Sequence, residues 1–161
     1  MLFRSVGFAV KQELVLLNHD LSGIPGRGVP SEWLLLRRAR KADVLTSLVV
    51  DGLAFGPLWA MDADGLVDAC HATPQHRFRV ATIGSAVVGF AISGRSGKNA
   101  YLQRLAVDPS QHGRGIGRTL TLDALRWARR SRCSGMLVNT HVGNDVAVNL
   151  DRKSTRLNSS H

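Results

Sequence analysis

The chain has 161 residues, 44% of them hydrophobic and 20% charged, which is enough for one packed domain and too few for two full ones. That mixture excludes collagen-like, low-complexity and wholly disordered chains, and no apolar run approaches the ~20 residues that cross a bilayer. The formal charge of +9, from 21 Lys and Arg against 12 Asp and Glu, favours polyanionic partners (nucleic acid, an acidic membrane, a phosphate-bearing cofactor) without choosing among them.

Residues 6–17 (VGFAVKQELVLL) are apolar with partial alternation and predict a strand or hairpin arm. Gly23, Pro25, Gly26, Gly28 and Pro30 make residues 18–31 a loop or linker, and Trp33 to Arg37 reads as a short strand. Val44, Leu45, Leu48, Val49 and Leu53 stand near helical spacing, so a helix is expected over 41–54, stopped by Pro57. Asp62 is placed to cap a second helix reaching Ala69.

Three strands follow: Arg77 to Thr82, Ala86 to Ser93 after a tight Gly84-Ser85 turn, and Ala100 to Val107 after a turn over Gly94 to Asn99. A helix over 116–131 carries an apolar stripe of Ile116, Leu120, Ala124 and Trp127. Met136 to Thr140 reads as a strand, and Asn144 to Leu150 begins a helix. This order belongs to an α/β chain with a mixed sheet and helices on its faces. Cys70 and Cys133 lie far apart, with neither a CxxC pair nor a His at ligand spacing. With no apolar signal core in MLFRSVGFAVKQE, a reducing, cytoplasmic setting without a metal is expected.

The richest stretch runs from Val107 through Asp108-Pro109 and Gly113-Arg114-Gly115-Ile116-Gly117 to Leu120. A strand ends, Pro109 prevents its continuation, and three glycines lead into an amphipathic helix. Glycines let backbone N–H groups turn toward a ligand, and the helix's first-turn amides and dipole face the same way, an arrangement suited to a pyrophosphate. A Walker A loop fails on spacing, because Ile92 stands five residues before Gly97-Lys98 and Asn99 replaces Ser or Thr. A dinucleotide fingerprint fails too, since Gly113-x-Gly115 is followed by Arg118 and Gly115-x-Gly117 by Leu120.

Leu105-Ala106-Val107-Asp108-Pro109, then His112-x-x-Gly115-x-Gly117, resembles the signature of the GCN5-related N-acetyltransferases, the GNAT superfamily, with His112 where Gln or Arg is usual. Asn144, Ala147 and Leu150 fit the superfamily's second motif, and the resemblance covers about 31–150. It implies a GNAT-like acyl-CoA N-acyltransferase fold, truncated so that it lacks its last two strands and leaves a sheet edge open. The implied reaction moves an acetyl group from acetyl-CoA, a co-substrate, to a primary amine on a small molecule or on a protein N-terminus or lysine.

The same resemblance assigns roles. The Leu105 backbone N–H would stabilise the oxyanion, and the backbones of Ala106 and Val107 would pair with pantetheine. His112 would stand near the phosphates, and the amides of Gly113, Arg114, Gly115, Ile116, Gly117, Arg118 and Thr119 would hold the pyrophosphate. Asn144 would touch the pantetheine arm. Tyr101, Gln103 and His141 lie near strand ends where a base, or a water chain to one, could reach. Where the superfamily places a proton-donating Tyr after Leu150 this chain has Asp151, so no donor is assigned. Trp33, Phe55, Trp59 and Tyr101 would line an acceptor cleft or simply belong to the core, and Arg37, Arg38, Arg40 and Lys41 would recognise an acidic acceptor or RNA or form a solvated face.

Residues 151–161 (DRKSTRLNSSH) match the translation of a sequencing-library adapter and are set aside from the fold. Leu2 to Phe8 (LFRSVGF) is similar to the end of another such domain, so 1–30 is either the remnant of a preceding GNAT-like half or an extension strand with its linker. The domain itself is expected over 31–150. Two alternatives stand beside the enzyme: a non-catalytic acyl-CoA sensor, and a basic nucleic-acid-binding module, the latter weakened by an aromatic content of 6%.

Overall fold

Two tight hairpins and one helical crossover organise the computed structural model, which describes residues 14–26 and 31–141. The hairpins join β3 (Gln75–Ile83), β4 (Ala86–Ser96) and β5 (Asn99–Val107). Each turn has two residues with glycine first, Gly84 at φ +57° and Gly97 at φ +57°, the geometry that lets neighbouring antiparallel strands keep their twist. β4 therefore runs three residues beyond the expected Ser93, and the second turn shrinks to Gly97-Lys98. After β5, helix α3 (Ile116–Arg130) crosses over to β6 (Gly135–His141), which lies parallel to β5.

β2 (Leu35–Arg38) pairs antiparallel with β3 on one flank, and β1 (Leu14–His19) pairs antiparallel with β6 on the other. The sheet order is β1-β6-β5-β4-β3-β2. The open edge expected beside β6 is thus filled: Leu14 pairs with His141 and His19 with Met136. The first strand, expected over 6–17, is described only over 14–19; residues 1–13, the helix expected from Asn144 and the adapter-like tail lie outside the described residues.

Helices α1 (Asp43–Phe55) and α2 (Ala63–His71) cover one face of the sheet, where Val50, Leu66 and Cys70 meet Val80, Phe90 and Ile92. Asp62 caps α2 as expected, its Oδ1 accepting the Gly65 N–H at 2.8 Å. Helix α3 covers the other face, where Ile116 and Leu120 meet Val88, Ala91 and Val107. With both faces covered, β4 is buried from Val87 to Gly94 instead of alternating. Gly89 sits under α3: a Cβ there would lie 3.3 Å from both Ile116 Cγ2 and Leu120 Cδ1, so its lack of a side chain brings the start of α3 close to the sheet.

α1 differs from its expected pattern in two respects. Gly56, at φ +72° with its N–H donating to the Gly52 carbonyl at 2.9 Å, ends the helix before Pro57 is reached. The buried face holds Asp43, Ser47, Val50 and Asp51, while Leu45, Val49 and Leu53 of the expected apolar face are exposed.

Candidate active site

β5 and β6 pair only from Asn99–Gly135 to Leu102–Val138, although β5 continues to Val107 and β6 to His141. The strands therefore part toward their carboxyl ends, where α/β sheets take ligands. The divergence begins at a bulge. Against β4, Ile92 faces Arg104 and Ser93 faces Leu102, leaving Gln103 as the extra residue.

Past the bulge, the direction of the β5 backbone follows from one bond. The Asp108 N–H donates to the Val88 carbonyl at 2.8 Å, and Ala106 lies opposite Phe90 two residues earlier. Main-chain groups alternate sides along a strand, so Ala106 turns to β4 while Leu105 and Val107 turn to the edge that β6 has left. Leu105 and Val107 thus offer their main-chain groups to that edge. Ala106 does not, because its backbone is committed to β4.

The chain then tightens into a 3-10 turn, Pro109–Gln111. Asp108 Oδ1 accepts the Ser110 N–H at 2.9 Å, and the His112 N–H donates to the Pro109 carbonyl at 3.2 Å. Gly113 and Gly115 both have φ +79°, left-handed backbone that favours glycine. Gly115 is the N-cap of α3, and its carbonyl accepts the Thr119 N–H at 2.9 Å. Thr119, expected among the free donors, is thus already satisfied. The amides from Gly113 to Arg118 find no protein acceptor among the described residues.

Residues 112–115 and Arg118 are exposed, while Ile116 anchors the helix start at 1% exposure. The His112 ring turns back to the strand, with Nε2 3.3 Å from the Val107 carbonyl. Arg114 donates to Gln111 Oε1 at 2.6 Å, and its guanidinium lies 4.2 Å from the centre of the Trp33 ring. Arg118 makes no ion pair among the described residues.

On the α1 side of β5 lies a knot that the sequence did not announce. Arg104 Nε and Nη2 donate to the two oxygens of Asp51 at 2.7 and 2.8 Å, and Nη2 also donates to the Trp59 carbonyl at 2.7 Å. Asp51, fully buried, accepts the Met61 N–H at 2.6 Å, and the guanidinium covers the Phe55 ring at 3.7 Å. One ion pair thus ties the α1–α2 loop to β5, next to the bulge. The available signal was a lone Asp inside an apolar helical pattern.

The four aromatics of the expected acceptor cleft fall in different places. Phe55 and Trp59 gather around Arg104, Trp33 covers Arg114 at the glycine-rich turn, and Tyr101 lies on β5 opposite Gly94 and Leu137. Gln103 is the half-buried bulge residue, and His141 ends β6 beyond its pairing with β5. Asn144 lies outside the described residues. Arg37 leaves the expected basic surface, donating to both oxygens of Asp43 at 2.7 and 2.8 Å. That contact holds the Asp43 carboxyl at about 2, while burial pushes the Cys70 thiol up.

A mixed sheet whose parallel strands part beside a glycine-rich helix start is the architecture of the acyltransferase class. The family model described as Acetyltransferase (GNAT) family matches residues 48–153, more than half of the chain. The chain belongs to the GNAT acetyltransferase family.

Solved structures agree on the fold. Ard1 from Thermoplasma volcanium is similar with a TM-score of 0.67 at 20% identity, covering 75% of this chain and 80% of that one. The ribosomal-protein-S18-alanine N-acetyltransferase from Escherichia coli gives 0.65 at 17%, covering 74% and 75%. The PaiA N-acetyltransferase from Thermoplasma acidophilum, in complex with coenzyme A, gives 0.63 at 18%, covering 74% and 87%. No curated protein matches the sequence. Among the described residues, no helix is long and apolar enough to cross a membrane, and no group of three or more His, Cys, Asp or Glu is placed to hold a metal ion.

Proposed function

We propose that this chain is an N-acetyltransferase that moves an acetyl group from acetyl-CoA to the primary amine of an acceptor. One observation carries the reading: amides from Gly113 to Arg118 with no acceptor among the described residues gather at the mouth of α3, beside a β5 edge that β6 has left. Such donors, with the helix dipole behind them, suit the coenzyme's pyrophosphate, and Arg118, which makes no ion pair among the described residues, adds a cation. The Val107 amide would pair with the pantetheine arm as an added strand would. By the family motif, Asn144, which lies outside the described residues, would contact the same arm.

Acetyl-CoA supplies the thioester. The acceptor nitrogen forms a bond to its carbonyl carbon, and the carbon–sulfur bond then breaks. The Leu105 N–H, fixed by its strand and turned to the open edge, would stabilise the oxyanion that forms between these steps. The amine must lose a proton before attack and the departing thiolate must gain one. Tyr101 and His141 remain the candidates for the base of the first transfer, and the uncharged amide of Gln103 would serve only to order a water leading to one.

The test is calorimetric titration of coenzyme A into the chain and into Gly115→Asp. Placing a β-carbon and a carboxylate at the mouth of α3 is expected to weaken binding by about 100-fold or more. The exposed site leaves the thermal midpoint as a control for folding. Unchanged affinity in a folded variant overturns the cradle. Coenzyme A binding without acetylation of any amine would instead favour the sensor.

A further inference from the structure

The Arg38–Lys41 segment, to which the transfer steps above assign no role, borders an open cavity of about 500 Å³ where β2 ends. β2 pairs with β3 only from Leu35–Thr82 to Arg38–Arg79, with one further bond from the Ala39 N–H to the Phe78 carbonyl at 3.0 Å. Beyond it the β3 edge is uncovered by β2. Arg38 approaches from the end of β2, Arg40 and Lys41 from the β2–α1 loop, Arg77 and Arg79 from β3, and Trp127 closes the α3 side.

The charges do not balance. Asp123 serves two guanidiniums at once, Arg77 at 2.6 Å and Arg79 at 3.3 Å. Asp43, the other nearby acid, is occupied by Arg37 and by the Arg40 N–H at 2.6 Å. No carboxylate among the described residues makes a close ion pair with the side chain of Arg38, Arg40 or Lys41, although the charge of Arg40 is felt at Asp43. Arg38, Arg40 and Lys41 therefore bring three cations to a concavity where Arg77 and Arg79 already share Asp123, and His76 stands at the same wall. A cleft lined by one sign of charge concentrates the opposite ion, and guanidinium forks match phosphate oxygens.

This cavity is separate from the glycine-rich turn. Arg79, Ala91 and Leu105 are successive cross-strand partners on β3, β4 and β5, so two strand spacings, about 10 Å, divide it from the parting of β5 and β6. Its volume suits a small molecule, since ligand pockets span roughly 300–1,000 Å³. An RNA backbone would instead follow an extended basic stripe.

We propose that this cavity binds a small phosphorylated molecule carrying two or more phosphate charges, at a second site independent of the acyl donor. Calorimetric titration of inorganic pyrophosphate into the full chain saturated with coenzyme A should show one saturable site. The same site should persist in Gly115→Asp, which keeps this reading distinct from the cradle. Arg38→Ala with Arg40→Ala is expected to weaken it at least about tenfold, and Lys41→Ala alone to act in the same direction. Arg129→Ala with Arg130→Ala, which removes two exposed cations elsewhere on α3, should leave it unchanged. Absence of saturable binding overturns the proposal, as does an equal loss in both double variants. Tighter binding of a single-stranded RNA oligonucleotide through the same cations overturns the small-molecule reading.

Discussion

Helices α1 and α3 pack on β4 from opposite faces, and they meet it with different chemistry. α3 turns Ile116, Leu120, Ala124 and Ala128 to the sheet, each at 1% exposure or less. α1 turns in Asp43, Ser47 and Asp51 along with Val50, and it leaves Leu45, Val49 and Leu53 to solvent. Both helices carry apolar residues at helical spacing, so periodicity alone does not tell them apart. The partner does. Facing α3 are the apolar Val88 and Ala91, whereas α1 meets Arg104 as well as the apolar Phe90 and Ile92, and the half-buried guanidinium takes the Asp51 carboxylate inward.

The largest expected effects test that partnership. Asp51→Ala leaves the Arg104 guanidinium uncompensated and is expected to cost about 3–5 kcal/mol, read as a lower urea midpoint. The double change Asp51→Leu with Arg104→Met should recover most of that loss, because removing both charges leaves neither stranded. An additive double variant would mean that the pair is not what holds α1 inward. The same double change also frees the Trp59 carbonyl and the Met61 N–H, so it separates the stability of α1 from the placement of the α1–α2 loop beside Gln103.

A smaller effect distinguishes the two helix starts. α1 begins with Asp43, clamped by Arg37 and held at about 2 against an ordinary 3.8, whereas α3 has no acid in its first turn. The folded value lies below the unfolded one, so the contribution of this carboxylate is complete above about pH 4 and is lost as pH falls toward 2. Its size is on the order of 2 kcal/mol. Asp43→Asn should therefore flatten the acid limb between pH 4 and 2 while lowering stability at neutral pH. A limb of unchanged steepness would assign acid lability to other carboxylates.

What the sequence disclosed follows the same division. Local chemistry was legible: the Asp62 cap, the Gly84 turn, and the glycine-rich lead into α3 all appear where their residue types require them. Contacts that join distant segments were not. Arg104 and Asp51 are 53 positions apart, and Leu14 and His141, paired at the sheet edge, lie at opposite ends of the described residues. The candidate site divides likewise. Its glycines and helix start were readable, but the bulge at Gln103 depends on how β5 registers against β4, and that register reverses the expected availability of the Ala106 backbone. The Thr119 amide was misassigned for a local reason: Gly115 already lies at the cap, so its carbonyl takes the first helical bond.

The smallest expected effect is the most direct check on which face of α1 is buried. Val49 is 61% exposed, so truncation to Ala removes little apolar surface from the folded core, and stability should stay within about 0.5 kcal/mol of the parent. The comparable truncation on α3, Leu120→Ala, opens a cavity at a site 1% exposed and should cost about 2–5 kcal/mol. If Val49→Ala proved as costly as Leu120→Ala, the stripe of Leu45, Val49 and Leu53 would be the buried face of α1. Asp51 would then have to leave Arg104. Chemical denaturation of the two variants side by side decides between these orientations, because rotating α1 to bury Val49 would also undo the bond from Arg104 to the Trp59 carbonyl that fixes the neighbouring loop.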